Sequence, residues 1–253
     1  MAAAASQGTD AVEAFDRGRE SRVSDRRKWH YRRFLGRAGP PGTLLDVGCG
    51  YGHFVQLAQK AGWRAIGVDL DPGAVRYALD RLAVTALHGD LRGLGFPAGF
   101  FDVVTLWNSL ECVAEPLDLL QEVHRVLRIG GRVFIRTQNA QWHRASCRLT
   151  GLLRRLWPGP IDRHPYLTYI FNQNSFCRAT LTLICERAGF SSIQVKNSRP
   201  TQGDPYIGVG PGSELLFSLT KQTVHAGAQV VSFVSARRLL IGSSLEASAR
   251  RLA

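Results

Sequence analysis

An open, doubly wound α/β fold is what the sequence predicts, and three observations predict it. Thr43, Leu44, Leu45 and Val47 form a short apolar run of β-formers, the pattern of a strand buried on both faces. Gly48, Gly50 and Gly52 alternate directly after it, so the backbone can turn tightly and approach a ligand with no Cβ in the way. Short apolar strands then alternate with amphipathic helices down to about residue 195.

The first unit carries the most information. Asp46 interrupts an otherwise apolar strand near its C-terminal end. From His53 a helical pattern begins, with Phe54, Val55, Leu57 and Ala58 apolar and Gly62 as its stop. A dinucleotide site needs the spacing G-x-G-x-x-G, which rests pyrophosphate on the helix N-terminus. Here the spacing is G-x-G-x-G behind an acidic residue, which speaks against a nicotinamide-dependent dehydrogenase.

Composition bounds the rest. The 253 residues suffice for one large α/β domain with an appendage, and 45% hydrophobic content supports a sizeable core. The five cysteines are odd in number and form no C-x-x-C pair, against both a disulfide framework and a zinc site. That usage points to a reducing, cytoplasmic setting, and no metal is expected. Acidic residues Asp10, Glu13, Asp16 and Glu20 stand where a secretory signal needs an apolar core. No uncharged apolar run reaches the roughly 18 residues a membrane span requires. The net charge of +12 fits either a soluble, arginine-rich surface or an anionic partner such as nucleic acid, a phospholipid surface or a phosphate-bearing substrate.

The run Asp46-Val47-Gly48-Cys49-Gly50-Tyr51-Gly52 resembles the first motif of the class I S-adenosylmethionine-dependent methyltransferases, hh-D-h-G-C-G-x-G. The resemblance extends over about residues 40 to 196 and is closest to the small-molecule group that includes quinone O-methyltransferases. It implies a Rossmann-like seven-stranded sheet, six strands parallel and one antiparallel, with helices on both faces and helical cap insertions. It implies S-adenosyl-L-methionine as cofactor, with Asp46 and the glycines Gly48, Gly50 and Gly52 around its methionine portion. On this reading residues 1–37 are a basic helical leader and 38–253 the methyltransferase domain. Substrate-side insertions fall at about 140–172 and 198–241.

Along the chain, residues 1 to 9 are expected to be disordered. Residues 10 to 37 read as helical, with nine cations from Arg17 to Arg37 and Trp29, Tyr31, Phe34 and Leu35 among the apolar positions. The resemblance makes this helix a lid over the cofactor; a helix packed on the domain edge fits as well. Gly39-Pro40-Pro41-Gly42 ends it.

A second strand runs to Asp69, and Asp71-Pro72 supplies an N-cap and N1 proline for the next helix. Asp69, 17 residues past Gly52 with Leu70 beside it, can accept hydrogen bonds from the vicinal hydroxyls of a ribose. Val84 to Leu87 reads as the third strand, followed by His88-Gly89-Asp90-Leu91. The resemblance gives Asp90 the adenine amino group, with Leu91 packing its backbone against the ring.

Phe101 to Trp107 reads as a central fourth strand, and the resemblance places Trp107 and Asn108 at the methionine end. The following Leu110-Glu111-Cys112-Val113 resembles the family's h-E-H-V, with Cys112 where the histidine stands. A thiol serves as base only with a lowered pKa. Leu119, Leu120, Val123, Val126 and Leu127 mark an amphipathic helix, and His124 beside that face reads as structural. Arg128 to Arg132 reads as a turn, resembling L-K-P-G-G with Ile129 for proline, before a fifth strand, Val133 to Thr137.

Residues 140 to 172 break the alternation with aromatic and basic residues around a Trp157-Pro158-Gly159-Pro160 loop. Aromatics give flat walls and cations hold anions, so this is the expected acceptor side. His143 and His164 are the general-base candidates. Asn174-Ser175 is expected to cap a helix to Ala188, with a sixth strand at Phe190 to Val195. Residues 198 to 213 read as a loop, and 214 to 241 as one or two amphipathic helices. These are read either as a cap on the sheet, the plainer choice, or as a peripheral contact with an anionic membrane. Ser244 to Arg251 reads as the last strand.

The expected function is methyl transfer to a small-molecule acceptor that bears a hydroxyl or is lipid-linked or anionic. A nucleic-acid methyltransferase stays open but is not favoured, since the fourth strand ends in Asn108-Ser109-Leu110-Glu111 and not D/N-P-P-Y. A non-catalytic binding module is the remaining alternative.

Overall fold

The computed structural model describes residues 28–156, 172–199, 211–236 and 238–252 (without the side chains of 149, 150, 153, 154, 156 and 211–221). Seven strands form one sheet in the order β3-β2-β1-β4-β5-β7-β6. They are β1 Thr43–Val47, β2 Arg64–Asp69, β3 Ala86–His88, β4 Phe101–Trp107, β5 Leu127–Gln138, β6 Ser191–Asn197 and β7 Ser244–Arg250. β1 to β5 pair in parallel, and β7 runs antiparallel to both β5 and β6. The strand order reverses between β1 and β4, where β1 lies between β2 and β4, the switch point at which open α/β sheets place ligands.

Alternation along β1 makes the fold doubly wound. Leu44 points into a core shared with helices α1 (28–35), α2 (His53–Lys60) and α3 (Pro72–Leu82). Leu45 and Val47 point into the other core, built with α4 (Pro116–Val126) and α6 (Arg178–Arg187). α4 buries Leu119, Leu120, Val123 and Val126, the stripe its sequence predicts. Asp71 caps α3 by accepting from the N–H groups of Gly73 at 2.8 Å and Ala74 at 3.3 Å, with Pro72 in the first turn.

Several boundaries differ from the sequence reading, each for a local reason. The third strand starts two residues late because Ala83 takes a left-handed conformation and the Val84 N–H closes the end of α3 on the Ala78 carbonyl. The sixth starts one residue late because the Phe190 N–H closes α6 on the Cys185 carbonyl, behind left-handed Gly189. The expected cap at Asn174-Ser175 is instead Cys177, paired with Thr180. Asn174 ties the loop after β4 to this segment: its N–H donates to the Glu111 carbonyl at 2.9 Å and its side chain to the Val113 carbonyl at 2.5 Å. The Arg128–Arg132 turn is absorbed into β5 as a bulge, where register jumps from Phe101↔Leu127 to Val103↔Arg132. Gly130 sits in it at φ 78°.

The 140–172 stretch opens with a helix, α5 (Ala140–Leu156), and the 214–241 stretch holds one helix, α7 (Pro211–Val234). Residues 157–171, with the expected Trp157–Pro160 loop and His164, lie outside the described residues, as does the leader upstream of Lys28. The part of the leader that is described packs on the sheet. Tyr31 and Phe34 of α1 meet Phe54 of α2 and Trp107 of β4, with ring centroids 4.8–6.0 Å apart. Phe34 also packs on Phe134 of β5, at 4.6 Å. Among the described residues no helix is long and apolar enough to cross a membrane.

Candidate active site

The C-terminal ends of β1, β2 and β4 meet at the glycine turn. The N–H groups of Gly48 and Cys49 both donate to the Val68 carbonyl, at 2.8 and 3.1 Å, folding the turn back over β2. The three glycines are required for different reasons. A Cβ on Gly48 would lie 2.4 Å from the Ser109 Cβ, and one on Gly52 2.9 Å from Ala78 and Val84 atoms. A Cβ on Gly50, at φ 51°, would meet nothing within 4 Å. Packing therefore excludes side chains at Gly48 and Gly52, whereas Gly50 keeps a bare backbone facing open space.

Asp69 closes this turn from β2. Its Oδ2 accepts the Gly50 N–H at 2.7 Å and its Oδ1 the Asp71 N–H at 2.9 Å. Each carboxylate oxygen keeps a further lone pair for a ligand hydroxyl. Leu70, next along, is 68% exposed, an apolar side chain left uncovered at the sheet edge. Gly89 donates its N–H to the Asp69 carbonyl at 3.0 Å, which brings the loop carrying Asp90 to the same edge. The Asp90 carboxylate pairs with Arg92 at 3.1 Å, and Arg92 also pairs with Asp118. Leu91 turns its side chain into the core, leaving its backbone at the edge.

Asp46 lies beneath the turn, not on its surface. It is 2% exposed and its Oδ1 accepts the Thr105 hydroxyl at 2.6 Å. Burial pushes its pKa up to about 8, helped by the charge of Asp69 and opposed by the Thr105 hydrogen bond. The neighbouring Cys49 thiol is pushed well above its usual range, first by burial and then by Asp46 and Asp69, which disfavours the thiolate a nucleophile needs.

At the end of β4, Asn108 takes φ 58°, unusual for a residue other than glycine. Its amide is held on both sides: Oδ1 accepts from Arg136, and Nδ2 donates to Glu111 Oε1 at 3.1 Å. Arg136 is itself buried, with Nε donating to the Ser198 hydroxyl at 3.1 Å. Glu111 is 1% exposed, and its Oε2, like the Trp107 indole N–H, is buried with no partner among the described residues. An unpaired buried polar atom costs about 1–3 kcal/mol, and His124 Nε2 and Thr137 Oγ1 are left the same way among the described residues.

Sequence reasoning missed Arg136 and Glu111. Arg136 was visible as a charge within the apolar run Val133-Phe134-Ile135-Arg136, the same anomaly that singled out Asp46. Glu111 stood in the Leu110-Glu111-Cys112-Val113 run that resembles h-E-H-V, but nothing in that run announced its burial in a 3-10 turn.

His143 sits half-buried on α5, its Nε2 3.2 Å from the Cys147 Sγ one turn on, with burial lowering its pKa. No contact ties it to the acids of the sheet edge among the described residues. Cys112 is exposed, and burial of its thiol together with Glu111 raises its pKa, against a role as base. No group of three or more His, Cys, Asp or Glu is placed to hold a metal among the described residues.

A cavity of about 910 Å³ adjoins this edge at Trp107. It lies between α1, α7 and the face of β4, β5, β7 and β6, and none of Asp46, Asp69 or Asp90 lines it. The three acids share an edge, with Asp69 as the link, rather than this cavity. The residues at the edge fit an adenosyl-type cofactor: Gly50 leaves space, Asp69 offers free lone pairs, Leu70 offers an apolar surface, and Glu111 offers an unpaired carboxyl oxygen.

The family described as "Methyltransferase domain" matches residues 16–195. The ubiquinone biosynthesis O-methyltransferase of Pseudomonas paraeruginosa is 33% identical over 110 residues, 41% of this chain and 47% of that protein. The demethylmenaquinone methyltransferase of Symbiobacterium thermophilum is 36% identical over 117 residues, 42% of this chain and 46% of that protein. The chain thus matches about half the length of these curated relatives. A solved S-adenosylmethionine-dependent methyltransferase from Archaeoglobus fulgidus shares the fold at a TM-score of 0.59 and 16% identity, over 91% of this chain and 97% of that one. With the family match covering most of the sheet and the glycine turn in place, the chain belongs to the methyltransferase-domain family, in the class I group that uses S-adenosylmethionine.

Proposed function

We propose that this protein transfers a methyl group from S-adenosylmethionine to a small molecule, an acceptor bearing a hydroxyl and either lipid-linked or anionic. One observation carries the reading: Asp69 grips the Gly50 N–H at 2.7 Å beside space that a Cβ at Gly50 would not fill. That is the arrangement a ribose diol needs, an oriented carboxylate next to a backbone a ligand can approach. Asp69 and Leu70 then hold the nucleoside, with Asp90 and the Leu91 backbone at the base. Gly48, Gly50, Gly52, Trp107 and Asn108 surround the methionine end, with Asp46 supporting the turn from beneath, and Glu111 Oε2 accepts from a cationic group.

The cofactor, when bound, supplies a methyl already activated on a sulfonium. The protein's task is to align the acceptor in line with it and to keep water out. The aromatic cluster of Tyr31, Phe34, Phe54, Trp107 and Phe134 walls one side against water. A hydroxyl acceptor must also lose its proton. His143 and His164 stay as candidates from sequence. The cavity adds His225, whose pKa is lowered by burial and by Arg199, so that it is neutral at pH 7 and able to accept a proton.

The ubiquinone biosynthesis O-methyltransferases among the curated relatives support an oxygen atom as the acceptor. A peripheral contact with an anionic membrane is supported by the exposed Val230, Phe233, Val234 and Leu239, with Arg238 beside them.

The test is turnover with methyl-labelled S-adenosylmethionine against a panel of catechols, quinols and hydroxylated acids, read as O-methyl product by mass spectrometry. Product from a hydroxylated acceptor is expected. Tight cofactor binding with no product from any acceptor would leave the non-catalytic binding module as the better reading.

A further inference from the structure

The cavity beside Trp107 has an unusual wall. Among the described residues, five cations line it, Arg33, Arg37, Arg132, Lys196 and Arg199, against one carboxylate, Glu246. That carboxylate is already engaged, by Lys196 at 3.4 Å and by the Ser198 hydroxyl at 2.9 Å. Arg132 donates to the Ala38 carbonyl. Arg33 of α1 and Arg199, just past β6, each stand against the Trp29 ring, 5.3 and 5.4 Å from its centroid, near enough for the charge of Arg199 to act on Arg33. Burial lowers the pKa of Arg33, the charges of Arg199 and Arg37 lower it further, and Glu246 offsets them only in part.

The rest of the wall is split. Phe34, Trp107 and Phe134 give it an apolar floor. Across from them α7 presents Gln222, His225, Gln229 and Ser232, recurring every three or four residues as one helical stripe. A helix lying on a sheet ordinarily turns apolar residues inward. Here the stripe facing the cavity is polar, while Val224, Val230 and Val234 are exposed on other sides of the helix. The volume is that of a small-molecule site, too small for a duplex or a folded partner.

We infer that this cavity binds an amphipathic oxyanion, its phosphate or carboxylate between Arg33 and Arg199 and its apolar body on Phe34, Trp107 and Phe134. Because Trp107 lines the cavity and its neighbour Asn108 stands at the proposed methionine end, we assign that molecule as the methyl acceptor. This last step rests on the methyltransferase reading, whereas the anion site stands without it. Paired guanidiniums suit an oxyanion because their planar N–H forks match its oxygens.

The experiment uses the full chain and decyl phosphate below its micelle concentration, followed by calorimetry and by the fluorescence of Trp29 and Trp107. Decanol tests the tail alone and inorganic phosphate the head alone. Decyl phosphate is expected to bind more tightly than either, with an affinity that falls as salt is added. Arg33→Ala and Arg199→Ala should each weaken it by about tenfold or more, the scale of a charge-assisted hydrogen bond. Arg199→Lys, which keeps charge and loses the fork, should weaken it less than Arg199→Ala and serves if the alanine variant fails to fold.

S-adenosylmethionine affinity in the same variants separates the two claims. Cofactor binding that survives while decyl phosphate and decanol bind alike, or while the arginine variants bind decyl phosphate unchanged, overturns the anion site alone. Decyl phosphate binding without cofactor binding overturns the acceptor assignment and the methyltransferase reading together. Cosedimentation with phosphatidylglycerol vesicles then distinguishes the source: capture that depends on Arg33 and Arg199 marks a lipid-borne anion, and no capture marks a free one.

Discussion

Asp69 accepts the Gly50 N–H at 2.7 Å, so the end of β2 holds the apex of the glycine turn that follows β1. The same carboxylate that is proposed to meet the ribose also fixes the backbone on which the cofactor would lie. Binding and preorganisation are therefore coupled in one side chain.

Asp69→Ala is expected to weaken S-adenosylmethionine binding by about 1.5–3 kcal/mol, the scale of hydrogen bonds to a charged group. Isothermal calorimetry measures it. Affinity unchanged in the variant would refute the ribose assignment.

The glycines should separate folding from binding. Gly50→Ala meets no atom but must hold φ near 51°, at about 1–2 kcal/mol for a left-handed residue. Its Cβ would stand where the ligand approaches, so cofactor affinity should drop more than stability. Gly52→Ala should cost about 2–4 kcal/mol in stability, adding contact with Ala78 and Val84 to the same backbone strain. Thermal melts beside cofactor titrations test the contrast, and the reverse order would contradict the reading of Gly50.

Asp46 predicts a pH dependence. Unfolded, it titrates near 3.8, and folded, at about 8. Between those values the unfolded chain has released a proton the folded chain keeps, so this group's contribution to stability falls as pH rises from about 4 to about 8, then levels. Asp46→Asn can still accept from Thr105 and carries no ionisation penalty. It should melt above the parent near pH 8 and lose that advantage near pH 4. Melting curves across this range decide, and a variant less stable at pH 8 would argue that the buried carboxylate is ionised and needed.

Asp102 should behave in the opposite sense. Burial pushes its pKa up, but Arg128 at 2.5 Å and the N–H and hydroxyl of Thr43, each at 2.7 Å, outweigh that and hold it at about 2. Its stabilising contribution is present above about pH 4 and is lost as pH falls towards 2. Asp102→Ala should cost about 1–3 kcal/mol at neutral pH, because it unties the start of β1 from β4 and β5. Denaturant titrations at pH 7 and in acid should show the difference shrinking in acid.

The sequence by itself determined the order of the strands and of every helix but α5, the cap at Asp71, the apolar stripe of α4 and the glycine turn. All of these rest on contacts within about ten residues, where periodicity and backbone preference decide. It also brought out Asp46 and Asp69, because each acid interrupts or ends an apolar strand, and Asp90 through the family resemblance. The late starts of β3 and β6 escaped it for the opposite reason: the N–H groups of Val84 and Phe190 are taken by helix ends, a choice that depends on which carbonyl is near.

Only the tertiary structure decided the rest. It buried Asp46 under the turn, set Arg136 and Glu111 on either side of Asn108, and built a basic cavity from α1, α7 and four strands. Arg33 and Arg199 stand 166 positions apart in the chain yet over one indole ring. Charges that distant in sequence read as scattered solubility. Lining one cavity, they are the basis of the anion site proposed above.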